Sequence, residues 1–237
     1  MKNVLAVLAL VACAGAASAQ TLTLAGPGPQ TFANGGGSGF GGTLGSGSIT
    51  MEVVNGGADL RITFVPGNNV NDYVAIFLDT RAGGFTDAQM DDSADGGRRV
   101  ISNLTRDSDD TFPILPDFGF AFWSGTQTVG FELTAGNTPG HLNYFAGSYS
   151  NAGWVQTISL AALGNPTQID WFAAYSSGTN FNSNESLPNS NIAGGNPGFG
   201  AAGSTVAYTS FNRYLIPTPG AAALLGLGGL ALGRRRR

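Results

Sequence analysis

No stretch between Gln20 and Ile216 holds an apolar helical period for ten residues. Short apolar runs recur instead between clusters of Gly, Asn, Pro and Asp, a spacing that builds strands. Leu60, Ile62 and Phe64 alternate with Asp59, Arg61 and Thr63, as on a strand with one buried face. Val129, Phe131 and Leu133 alternate in the same way with Thr128, Gly130 and Glu132. Phe118, Phe120 and Phe122 put three rings on one face, with Gly119 and Ala121 on the other. Tyr73 to Leu78 is continuously apolar and stops at Asp79, the pattern of a central strand. Further strands are expected at Ile49–Val54, Arg99–Ser102, Leu142–Phe145, Trp154–Leu160, Ile169–Tyr175 and Thr205–Phe211. Only Ser159 to Leu163 invites a helical turn. Roughly ten strands with few helices predict an all-β fold, a two-sheet jelly-roll-like sandwich with aromatic rings between the sheets.

Composition shows no break that would divide residues 20–215 into two domains. Gln20 to Ser48 is expected to hold one edge strand and a long loop, and Ser176 to Ser204 a functional or covering loop. Six arginines against fifteen acidic residues leave this body with a net charge near −9. Such a surface repels phosphate backbones, so no nucleic-acid partner is expected. The one cysteine, Cys13, precedes the body, which excludes disulfides, thiolate metal sites and a cysteine nucleophile within it. His141 is the only histidine, which argues against histidine-rich zinc sites and a Ser-His-Asp triad.

Residues 1–19 read as a signal peptide: Lys2, the apolar stretch Val4 to Ala12, then the small-residue cleavage pattern Ala17-Ser18-Ala19. Leu10-Val11-Ala12-Cys13 resembles a lipobox, the competing reading, in which Cys13 becomes a lipidated N-terminus. At the other end, residues 216–237 run through Pro217, Thr218, Pro219 and Gly220 into a thirteen-residue apolar stretch and then Arg234, Arg235, Arg236 and Arg237. Thirteen residues fall short of the roughly 20 that a membrane helix needs, and glycines weaken the helix further. The arginines hold their end on the cytoplasmic side.

This order of proline motif, short apolar run and basic end resembles the PEP-CTERM family of sorting tails, with Pro217-Thr218-Pro219 where the family has Pro-Glu-Pro. The resemblance implies a signal peptidase and an exosortase-like membrane protease as partners. It also implies transient inner-membrane insertion, then release or attachment at the surface of a Gram-negative-type bacterium. A plain membrane anchor is the competing reading. The body resembles extracellular β-sandwich modules of the DOMON and carbohydrate-binding type. That likeness rests on Phe77-Leu78-Asp79-Thr80, Ile158 to Gly164, Asp170-Trp171-Phe172 and Ser183 to Pro188.

Asp91, Ser93 and Asp95 before Gly96 copy the opening of a calcium loop, and Asp107 and Asp109 can add carboxylates from the next loop. Ser102 stands at the twelfth position instead of glutamate, so this is no EF-hand, and a solvated acidic loop is the competing reading. No other cofactor is expected. Trp123, Trp154, Trp171, Tyr144, Tyr149 and Tyr175 are candidates for a sugar-stacking platform, with Trp154, which follows Asn151-Ala152-Gly153, expected to be the most exposed, against the alternative that they fill the core. Asp79, Asp117, Glu132 and Asp170 are single acids in or beside strands, and a glycan hydrolase would need two of them to meet. Together these features predict an exported, non-enzymatic surface or matrix protein, structural or adhesive within an exopolysaccharide layer. A carbohydrate-binding module is the alternative, and a glycan-acting enzyme the third reading.

Overall fold

The apolar run at Tyr73–Asp79 forms a strand covered on both faces, and two layers of packing are built around it. The computed structural model describes residues 22–26, 28–85, 96–98, 100–101, 113–123, 129–133, 140–142, 147–178, 182–190 and 208–217. Its strands are β1 (Leu22–Ala25), β2 (Gln30–Phe32), β3 (Ser48–Val54), β4 (Asp59–Val65), β5 (Tyr73–Asp79), β6 (Phe118–Phe122) and β7 (Val129–Glu132). They continue with β8 (Gly140–Leu142), β9 (Gly147–Ser150), β10 (Gly153–Ser159), β11 (Gln168–Ser176), β12 (Asn182–Leu187) and β13 (Asn212–Leu215). The fold is all-β, in two sheets.

The larger sheet runs β1-β13-β11-β5-β6-β7-β8, with β12 on the far half of β11, and the smaller runs β2-β3-β4-β10-β9. Alternate residues of β4 (Leu60, Ile62, Phe64) and of β5 (Val74, Ile76, Leu78) meet in the main core between the sheets. The three phenylalanines of β6 join them, as their spacing predicts. Ala75, Phe77, Ala121, Phe131, Phe172 and Ala174 face the other way, into a second cluster with Phe85, Val100, Ile101, Ile114 and Tyr208. Double coverage explains why β5 reads as an unbroken apolar run.

Several expected elements differ. Val100 and Ile101, expected in a strand, are helical and pack on the outer face of the large sheet, where Gly119 leaves room for the Ile101 side chain. The last described strand lies at Asn212–Leu215, where polar Asn212 and Arg213 find partners in Asn34 and Asp170; of the expected strand 205–211, residues 208–211 are not in a strand and 205–207 lie outside the described residues. Two strands, β1 and β2, occupy the segment expected to hold one. The expected loop 176–204 contains β12, whose Glu185 is fully buried.

Glu185 explains the ordering of the glycine-rich segment before β3. One carboxylate oxygen accepts from Phe40 N at 2.8 Å and Gly42 N at 3.0 Å. The other accepts from Leu44 N at 2.8 Å and Gly45 N at 3.3 Å. Asn184 Oδ1 adds bonds from Ser38 N and Gly39 N. Backbone donors here replace the cation that a buried carboxylate otherwise requires. The loop packs so closely that a Cβ on Gly45 would lie 2.1 Å from the Gly37 carbonyl oxygen.

Candidate functional site

The four single acids Asp79, Asp117, Glu132 and Asp170 come together at one end of the large sheet. Register does this. Asp170 on β11 is paired with Asp79 on β5 and with Arg213 on β13, so the three lie in a row across adjacent strands. Arg213 grips Asp170 with two hydrogen bonds of 2.6 Å each, Nε to Oδ1 and Nη2 to Oδ2. This two-pronged geometry suits a guanidinium and fixes the carboxylate in place.

Asp117 closes the other side. Its Oδ2 accepts from Thr80 N and Arg81 N, both at 2.8 Å, and from the Thr80 hydroxyl at 3.2 Å. Arg81 donates to Glu132 Oε1 at 2.8 Å and lies 4.9 Å over the Phe118 ring. These bonds fold residues 80–84 over the strand end, where a Cβ on Gly84 (φ 110°) would sit 2.0 Å from the Leu115 carbonyl oxygen. Only glycine tolerates both that conformation and that approach.

The result is a cleft of about 430 Å³ lined by Asp79, Thr80, Arg81, Gly83, Leu115, Gln168 and Asp170. That volume lies within the roughly 300–1,000 Å³ range of small-molecule sites. The lining sets two carboxylates, Asp79 and Asp170, against one guanidinium, Arg81, so the cleft disfavours anions. Among the described residues, Asp79 is the one acid of the row with no guanidinium bonded to it. Burial first, then the charges of Asp117 and Asp170, push its carboxyl up to about 6. A raised carboxyl binds its proton more tightly in the folded chain, so the fold loses stability as pH climbs from about 4 to about 6. Asp79→Asn is therefore expected to stabilise the protein above pH 6, by about 1 kcal/mol once solvent screening is counted. The gain should vanish below pH 4, as read from denaturant unfolding at the two pH values.

The aromatic candidates are distributed differently from expectation. Trp154 is 4% exposed and Trp171 0%. The period of β10 turns Trp154, Gln156 and Ile158 toward the other sheet, where Trp154 stacks on Phe122. Trp171 meets Phe32 edge to face at 5.0 Å in the same core. These two rings hold the sheets together and form no platform. Of the candidates, Trp123 is exposed, at 39%, and stacks on Tyr73 beyond the opposite end of β5 from the cleft. The side chain of Tyr149 lies outside the described residues, as do Asp91, Ser93, Asp95, Asp107 and Asp109. Ala17, Ala19 and the sorting residues Thr218, Pro219, Gly220 and Arg234 to Arg237 also lie outside them. Pro217 is described and half-buried, directly after Ile216, whose amide donates to Thr167 O at 3.0 Å.

No protein-family model, curated protein or solved structure matches this chain.

Proposed function

We propose that this chain is an exported, non-enzymatic protein of a bacterial surface or extracellular matrix, structural or adhesive in role and sorted by an exosortase-like protease. The observation that carries the reading is the pair of end segments around the β body: an apolar stretch closed by Ala17-Ser18-Ala19 before it and a short, arginine-ended apolar stretch after it. A jelly-roll-like winding belongs to the same proposal. It is supported by β4 and β5 crossing between the sheets alongside their partners β10 and β11. The bonding of the cleft supports a role without catalysis. Both oxygens of Asp170 and one of Asp117 accept hydrogen bonds within the chain, which ties these carboxylates to holding the strand ends in place.

The test is the mass of the protein recovered from cell-surface and medium fractions. It should begin at Gln20 and lack Arg234 to Arg237. Intact Arg237 in an inner-membrane fraction would overturn the reading.

Carbohydrate binding is the second reading, favoured by the cleft itself. Asp79 supplies acceptors, Gln168 and Arg81 supply donors, and Leu115, 42% exposed, supplies an apolar wall. The surplus of carboxylates makes a neutral glycan the fitting ligand.

A further inference from the structure

Among the described strands β1 alone pairs in parallel, and its only partner is β13. Parallel pairing is slightly weaker per residue than antiparallel pairing. Leu22 and Leu24 are half-buried against the main core, while Thr23 and Ala25 are exposed. The strand that receives β1 has more at stake. Asn212 and Tyr214 of β13 are fully buried, and without β1 their strand becomes an open edge.

The connection from β1 to the rest of the chain is Gly26-Pro27-Gly28-Pro29, which leads into β2 in the opposite sheet. The link is only four residues long and two of them are prolines with fixed φ, and a short hinge under strain favours exchange of a terminal element over closure. Chain order adds to this. Leu22 and its partner Asn212 are about 190 residues apart, so β1 waits through nearly the whole body before its own acceptor forms. A neighbouring copy whose own β1 has not yet docked offers the same acceptor edge.

We propose that β1 is exchanged between copies of this chain: Leu22–Ala25 of one molecule adds in parallel to β13 of another, in the register it takes within a single chain. Every copy then offers one donor strand and one acceptor edge, which links copies by strand addition.

Ala25 and Leu215 are registered partners on the outer side of the sheet, and paired strand positions of this kind lie within disulfide reach. The experiment co-expresses two full-length chains in a Cys13→Ser background. One carries Ala25→Cys and the other, lengthened by a tag, carries Leu215→Cys. After oxidation and denaturation, non-reducing electrophoresis should show a disulfide-linked species of mixed size. Its share should fall several-fold when six Gly and Ser residues lengthen the hinge. The double variant A25C/L215C on one chain reports the register. Only intrachain links in the double variant, with no mixed-size species from the pair, would overturn the proposal. No link in either sample would overturn it too. A cooperative melt of each variant shows that the fold is intact.

Discussion

Glu185→Gln is expected to lower the stability of the fold by about 3–5 kcal/mol, the cost of leaving buried polar groups unpaired. The carboxylate is fully buried and accepts four backbone N–H groups, two on each oxygen. An amide keeps one acceptor oxygen and turns an NH2 group toward the other two donors. Two amides of the loop then lose their partner in a site closed to water. For a chain of this size the loss corresponds to a fall of about 10 °C in Tm. The loop from Gly35 to Gly47 should also open to proteolysis before the sheets do, since four of its amides are held by that one side chain. A Tm within 2 °C of the parent would show that the loop is held by something else.

Arg213→Met is expected to cost about 2–3 kcal/mol at pH 8, less than a fully buried pair because the guanidinium is partly exposed. The substitution leaves Asp170 buried beside Asp79 with no cation across the strand. Like charges directly opposite each other weaken a sheet. The sign of the pH dependence follows from Asp79. Its carboxyl, pushed up to about 6 with Arg213 present, moves further up once that charge is gone. Lowering the pH from 8 to 5 protonates it and relieves the repulsion, so the gap between variant and parent should narrow. Adding Asp79→Asn to Arg213→Met should recover part of the loss at pH 8 and little at pH 5. Denaturant unfolding of the four chains at both pH values measures this cycle. A gap that stays constant with pH would show that the row Asp79–Asp170–Arg213 is not electrostatically coupled.

What could be read from the residues alone was the periodic part of the fold. Alternation placed β4 and the inward face of β6, and the unbroken run placed β5 at the centre, because apolar burial leaves a period in the chain. β12 left no such trace. Its segment Asn-Ser-Asn-Glu-Ser-Leu is polar, and it is buried by hydrogen bonds to a glycine-rich loop about 140 residues away. β13 was displaced toward Thr205–Phe211 for a related reason, since Asn212 and Arg213 look like loop residues until Asn34 and Asp170 are seen beside them. The cleft was legible only as four separate acids. Each could be named from the sequence, but their meeting depends on the register of β5 against β11 and on the turn at Asp117, and neither leaves a local pattern. Trp154 was misplaced because Asn151-Ala152-Gly153 suggested an exposed turn, whereas the ring belongs to the strand that follows and takes its inward phase.

The double covering of β5 also limits how far this sequence can drift. A strand with one wet side accepts hydrophilic replacements at every second position. Val74 to Leu78 has no wet side, since even and odd positions alike face apolar neighbours. Any new polar group there would need a bonding partner supplied at the same time, by a second change elsewhere. Descendants of this chain can therefore be expected to vary freely along the small sheet's outer face while keeping this segment apolar, and it becomes the natural anchor for aligning distant relatives.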